Sequence, residues 1–494
     1  MSSFGSSLNI GTSAIHAAQR GLDVTGQNIA NAATPGYTRQ RVDLESIGGP
    51  GVPAFWSRYD GVGEGVKITG VTRMNDEFLE ARARNSNASL GSLEEQAKAM
   101  AAIERTVGEP SDTGLQKKMA EFWNSWATAG NSPSVANQAP RSAALENGVN
   151  AAAQLNLMGS SLATQFADTT SELQANVTDI NKMAEDVAKL NVAIRSNNIA
   201  KVPANELLDQ RDQLVAKLSQ LTGATVRPAK MDQDADFNSQ SVDVMLNGKM
   251  LVEGTQANSL KVVDPNGGKY PDAGMPGQLS VEWGAGPSGN TGDAGIASGR
   301  VAGQLKNLND TIPDYMSKFD GIAAQLAKTV NEQQSLGYTV DGVKGADLFI
   351  ANGGGTVTAR SIRVDPAAVA NSLAVSQGNP KAPWPDANGA MQPKSLDGNN
   401  ALAMSRHIKD PGGADATYNA MVVQLGVETQ SVNRNVAVQQ NVVNKAEDAR
   451  DNVSGVSLNE EMTNLIKFQH SFSAAAKFIG VIDQTLDTLI HMTR

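Results

Sequence analysis

Apolar positions recur in distinct registers along this chain, and each register predicts an element. Near the amino end Leu8, Ile15, Leu22 and Ile29 stand seven residues apart, and Gly11, Ala18, Thr25 and Ala32 follow each by three. A repeat of seven with large residues at one position and small ones at the next is a coiled-coil seam that lets another helix approach closely. Gly11, Gly21 and Gly26 each cost about 1 kcal/mol against alanine in a helix, so the segment is expected to be marginal alone and to want a partner. The far end answers it. Leu458, Met462, Leu465, Phe472, Ala476, Ile479, Ile482, Leu486 and Leu489 recur mostly at spacings of three and four, interrupted by Gln469 and weakened at Gly480. Ser457 ahead of them, with Glu460 three residues on, reads as a capping box.

The middle carries the same character. Phe166, Leu173, Ile180, Val187 and Ile194 repeat by seven, with Val177 and Ala184 between them. Further helices are predicted over 206–221, from Asp310-Thr311-Ile312-Pro313 through Val330, and over roughly 416–453 with Tyr418, Val422, Leu425, Val432, Val436 and Val443 on one side. Proline near a first helical turn costs no hydrogen bond. Between these segments the period drops to two. Val242, Val244 and Leu246 alternate with Ser241, Asp243 and Met245 before Asn247-Gly248, a strong hairpin signal, and Leu279, Val281 and Trp283 alternate likewise. A weaker, irregular stretch holds Val357, Ala359, Ile362 and Val364, then a loop around Pro380, Pro383, Trp384 and Pro385.

The expected fold class is therefore mainly α with an inserted β domain. Terminal coiled-coil helices (1–70 and 454–494) are discontinuous in sequence. So is an elongated helical-bundle body (71–222, 300–337 and 401–453). Residues 223–299 form the β-rich outer insertion, and 338–400 an irregular excursion from the body. A chain of 494 residues is long enough for several such units. Aromatics are only 4% against 47 glycines, which suits slender helices packed close together.

Charge and chemistry narrow the function by exclusion. The net charge of −10, with no basic stripe, argues against nucleic-acid binding. Without cysteine there is no thiol catalysis and no cysteine-held metal, and His16, His407, His470 and His491 are scattered. The start lacks a basic and apolar export signal, and no apolar run approaches the ~18 residues of a membrane span. Gly353-Gly354-Gly355 is not followed by the lysine of a phosphate loop. Asp209 and Asp212, flanking Arg211, are read as ion-pairing helix residues. The alternating Asp232, Asp234 and Asp236 lack the central glycine and terminal glutamate of a calcium loop. No cofactor, metal or catalytic group is expected.

The first predicted helix runs out through Asn28-Ile29-Ala30-Asn31-Ala32-Ala33-Thr34-Pro35-Gly36-Tyr37, followed by Thr38-Arg39-Gln40. Pro35 should stop the helix and Gly36 permit the turn; locally, physics requires nothing more. The string also resembles that of the flagellar rod, hook and hook-associated family. Gly455-Val456-Ser457-Leu458-Asn459-Glu460-Glu461-Met462 and Ala474-Ala475-Ala476-Lys477 resemble that family's matching end helix. Within the family the chain most resembles the FlgK group. Its helical-domain motif is similar to Leu207-Leu208-Asp209-Gln210-Arg211-Asp212, and others are similar to Asp310-Thr311-Ile312-Pro313-Asp314-Tyr315 and to Gly337-Tyr338 through Phe349.

The resemblance implies a structural protein exported through the flagellum's own type III channel after a cytoplasmic export chaperone has held its C-terminal helix. It implies self-association into a ring at the end of the hook, with the flagellar hook protein on one side. A second hook-associated protein on the other side would lead to the filament. The terminal helices would line the inner tube and the β insertion would face outward. Neither nucleic acid nor membrane insertion enters this reading. Charges at Ile15, Leu22 or Ile479 are expected to block assembly. A hook or rod protein shares the end motifs, and a surface adhesin using the β insertion is the alternative from another class.

Overall fold

The computed structural model describes residues 2–47, 63–229, 240–272, 274–385, 389, 391–392 and 396–492. Helix α1 (Ser2–Ala30) leads into an antiparallel hairpin, β1 (Gln40–Ile47) and β2 (Gly65–Arg73). Helix α2 (Glu77–Val107) starts where the Asp76 carboxylate accepts from the amides of Phe78 and Leu79, and stops at the left-handed Gly108. After α3 (Leu115–Asn131) comes α4 (Ala139–Ile199), 61 residues in one run. At 1.5 Å per residue that is a shaft about 90 Å long. Its buried row includes Phe166, Leu173, Val177, Ile180, Ala184, Val187 and Ile194, extended upstream by Leu155, Met158 and Leu162. Helix α5 (Asn205–Thr222) returns along it.

Four strands, β3 (Thr225–Pro228), β4 (Val242–Leu246), β5 (Lys249–Glu253) and β6 (Gln256–Ala257), form an antiparallel sheet in chain order. Strands β7 (Leu260–Val263) and β8 (Ser280–Trp283) pair separately. Asn247 and Gly248 turn the β4–β5 hairpin with φ of 44° and 80°, the left-handed pair that a two-residue loop needs. Asp232, Asp234 and Asp236 lie outside the described residues.

The helix expected to begin near Asp310 begins earlier. Helix α6 (Gly299–Lys306) passes through one π turn, Asn307–Thr311, into α7 (Ile312–Leu336). Pro313 lacks an N–H and its ring would crowd the carbonyl four residues back. The wider turn, in which Ile312 N–H reaches Asn307 O, carries the helix past it. Next come the short pairs β9 (Phe349–Ala351) with β10 (Ile362–Val364), and β11 (Trp384–Pro385) with β12 (Met391–Gln392). Helices α8 (Asn399–Arg406), α9 (Ala414–Ser454) and α10 (Leu458–Met492) complete the chain.

The fold is mainly α with a β-rich insertion, and it has one large apolar core beside a small cluster of Ile194, Ala204 and Leu208. Phe122, Trp123, Trp126 and Phe319 from the helices, Val244, Leu251 and Val281 from the strands, and Phe349, Ile362 and Leu373 from the irregular stretch belong to one buried cluster. Within it Phe122 touches Trp123, Trp126 and Phe349.

Candidate assembly site at the terminal helices

Helices α1 and α10 pack along each other, and the β1–β2 hairpin lies against α1 as well, with Val66 N–H donating to Ser13 Oγ. The seam has a different phase from the expected one. The buried side of α1, shared between α10 and the β1–β2 hairpin, is Gly11, Ala17, Ala18, Gly21, Val24, Thr25 and Asn28, of which Gly11, Gly21 and Asn28 meet α10 directly. Leu8 is 42% exposed, and Ile15, Leu22 and Ile29 are half-buried flanks. The reason is steric. A Cβ on Gly21 would stand 2.4 Å from the Phe468 ring, and one on Gly11 2.6 Å from Ile479. One helix supplies the hollows and the other the bulk.

On α10 the buried row is Glu461, Ala475 and Ile482, with Phe468 half-buried in register. Leu465, Phe472, Ile479 and Leu486 are half-buried beside it. Leu458, Met462 and Leu489 are exposed, as is Ala476. Spacing reasoning missed the row through Glu461 and Phe468 because a glutamate begins it, although the repeat of seven was there to be counted.

The base of this pair is tied to the body by a buried polar junction. Asn28, 1% exposed, uses its whole amide: Nδ2 donates to Gln40 O (2.9 Å) and to Glu461 Oε2 (3.0 Å). Its Oδ1 accepts from Gln40 N (3.0 Å) and from the Tyr37 hydroxyl (2.9 Å). Burial, and then the charges of Asp209, Glu206 and Glu461, push Tyr37 up to about 12, so the hydroxyl keeps the proton it donates. Glu461, also 1% exposed, takes the Arg39 guanidinium at 2.8 Å, and Glu460 reaches the same arginine at 2.5 Å. The expected capping box is therefore not formed by Glu460, whose carboxylate is drawn to Arg39. The first turn of α10 is closed by Glu461 N on Ser457 O.

The junction continues into α5. Thr38 N donates to Asp209 (3.3 Å), and Arg73 of β2 pairs with Asp209 (2.9 Å) and Asp212 (2.7 Å). Burial raises the Asp209 carboxyl against the pull of Arg73 and Thr38. Burial also acts on Asp212, but Arg211 and Arg73 outweigh it and hold that group below its ordinary value. Asn205 donates to Gln40 Oε1 and Val71 O, both at 3.1 Å. Pro35 O accepts from Gln213 (2.5 Å), and that amide lies where a Cβ on Gly36 would be, at a φ of 76°. Only glycine fits there. Of the remaining motif residues, Asn31 bonds Gln27 O and Thr34 locally, and Ala30 ends α1 in solvent. Arg39, Gln40, Arg73 and Glu461 complete the junction and were not among the expected site residues.

The arrangement holds segments together and presents no reacting group to a substrate. Asp209 and Asp212 are occupied by arginines, and among the described residues no three His, Asp or Glu side chains converge as metal ligands would. No helix among them is long and apolar enough to cross a membrane.

A model of the flagellar hook-associated protein FlgK helical domain matches residues 100–349. Models of the flagellar basal body rod FlgEFG protein C-terminal region and of the flagella basal body rod protein match 449–492 and 8–38. Flagellar hook-associated protein 1 of Bacillus subtilis (strain 168) is 30% identical, over 97% of this chain and 96% of its own. That of Escherichia coli (strain K12) is 24% identical over 98% and 99%. The flagellar hook junction protein FlgK from Burkholderia pseudomallei shares the fold at 17% identity and a TM-score of 0.61, over 76% of this chain and all of that one. The two end matches bracket the α1–α10 pair and the central match covers the body it is tied to, so this chain belongs to the family of the flagellar hook-associated protein FlgK.

Proposed function

We propose that this component of the bacterial flagellum is a non-catalytic subunit of the ring joining hook to filament. The observation that carries the reading is the unfinished surface of the terminal pair. Helices α1 and α10 cover each other along one face and leave Leu8, Leu458, Met462, Ile466, Phe478 and Leu489 in solvent. Large apolar side chains exposed along a helix pair mark a surface meant to be covered. Neighbouring copies cover it in the ring, the flagellar hook protein below and a second hook-associated protein above. Before assembly the same stripe of α10 needs masking in the cytoplasm, which an export chaperone provides; the chain then leaves through the flagellar channel. The relatives, a flagellar hook-associated protein 1 and a flagellar hook junction protein, support the placement.

Electron microscopy of cells lacking only this gene tests it. Finished hooks without filaments, with flagellin shed to the medium, are expected. Loss of the hooks would move the protein into hook or rod, and normal flagella would refute the junction role.

A further inference from the structure

Gly353-Gly354-Gly355 is no phosphate loop, and the junction at the terminal helices does not involve it. It forms the tip of the hairpin between β9 and β10. The stem of that hairpin is fixed. Ile362 pairs with Ala351, Asn352 N–H donates to Ser361 O at 2.7 Å, and Phe349, Ala351 and Ile362 are buried. The tip is open. φ is 83°, 82° and 87° at the three glycines, and a Cβ on any of them would meet nothing within 4 Å. Asn352 through Thr356 are exposed. Among the described residues neither the Asn352 side chain nor Gly353 N–H has a hydrogen-bond partner.

An asparagine amide can be attacked by the backbone nitrogen of the next residue when the two are free to meet, and glycine there puts no Cβ in the way. We propose that the open tip makes Asn352 the first site of spontaneous deamidation in this chain, with water as the co-reactant. The Gly353 nitrogen bonds to Asn352 Cγ and gives up its proton. The Cγ–Nδ2 bond breaks, and Nδ2 takes that proton and leaves as ammonia. Water then opens the cyclic imide at one of its two carbonyls. The products are aspartate or, with the backbone rerouted through the side chain, isoaspartate. Either one replaces a neutral amide with a carboxylate and places a negative charge on the exposed tip.

The sequence holds four other Asn-Gly pairs, at Asn147, Asn247, Asn266 and Asn388. Asn147 and Gly148 lie inside α4, where the helical ladder holds the nitrogen, and Asn147 Nδ2 donates to Glu121 O at 3.4 Å. Asn247 and Gly248 are set in the β4–β5 turn, with the Asn247 amide packed against Gly295. Asn266 engages Gly277 with both Nδ2 and Oδ1, each at 2.8 Å. Asn388 lies outside the described residues. At the three described pairs a helix, a turn or a clasp has to open before the ring can close. At Asn352 nothing has to open.

Full-length protein held in mildly alkaline buffer, with its proteolytic peptides followed by mass spectrometry, tests this. The peptide carrying Asn352 is expected to gain about 1 Da, carboxyl for amide, ahead of those carrying Asn147, Asn247 and Asn266. In urea that lead should vanish, because unfolding frees all four. Gly353→Ala and Asn352→Gln are each expected to lose the gain. The second keeps the glycines, so its result stands even if alanine at a φ of 83° disturbs the tip. An unchanged Asn352 peptide, earlier conversion at Asn147, Asn247 or Asn266, or a lead that persists in urea would each overturn the proposal.

Discussion

Asparagine is the residue with which this chain fastens irregular segments to helices. Asn28 on Gln40, Asn181 on Leu260, Asn191 on Val242, Asn309 on Leu279 and Asn331 on Phe349 each engage both the N–H and the C=O of one backbone residue. An amide has donor and acceptor side by side, as a neighbouring strand does, and an aspartate has not. Asn191 is fully buried and also reaches Gly254 O at 2.6 Å. Asn191→Asp leaves two carbonyls undonated and sets a carboxylate against them, so a loss of about 3 kcal/mol in denaturant unfolding is expected. The same change at Asn266, an exposed clasp on Gly277, should cost under ~1 kcal/mol; equal losses would refute burial as the deciding factor. Asp415 gives a second residue-scale test. Burial raises its carboxyl to about 6 from 3.8, opposed by the Trp123 indole N–H at 2.7 Å. The protonated form is the one the fold favours, so its stabilisation is complete below 3.8 and is lost as pH rises through about 6. Asp415→Asn should melt higher than wild type at pH near 8 and flatten that acid-side rise; an unchanged pH profile of the melting temperature would sink the assignment. None of the buried clasps could be read from spacing, because asparagine is equally common in turns and on wet faces. Asn28 stood out only through the string it belongs to.

At the scale of elements, periodicity located both terminal helices but not the phase of their contact. A repeat of seven in α1 picked out Leu8, Ile15, Leu22 and Ile29, and the structure buries the small residues of the same repeat, Gly11, Ala18 and Thr25. Which row faces inward depends on the bulk of the partner, and Phe468 and Ile479 supply that bulk. The glycines then separate into two kinds. Gly26 has open space around it, so Gly26→Ala should stiffen α1 by about 1 kcal/mol, seen as slower amide hydrogen exchange. Gly21→Ala gains the same propensity but displaces the Phe468 ring from 2.4 Å, and exchange in both α1 and α10 should quicken. If the two variants protect equally, propensity and not fit governs the pair. The π turn before Pro313 was illegible for a related reason. A proline after Asp310-Thr311 reads as a helix start, and only the packing of α6 against α2 shows that the helix is already under way.

For the whole molecule, the fold class was legible because periods of seven and two are written in different stretches of the chain. What the strands pack against was not, since alternation marks an inward face without naming its cover. Val281 and Trp283 of β8 are buried in the cluster that also holds Phe166, Leu173 and Phe319, and α4 grips the strands through Asn181 and Asn191. A body held by one large core should unfold as one unit, with the α1–α10 pair melting below it because so little of α10 is covered. Trp283→Ala removes a large side chain from that shared core and should cost about 3 kcal/mol. In calorimetry the main transition as a whole should therefore move to lower temperature without splitting, while the earlier loss of the terminal pair stays where it was. A new, separate transition for the strands, with the helical body melting at its original temperature, would mean that the insertion is a domain of its own and that the continuity of the core carries no cooperativity.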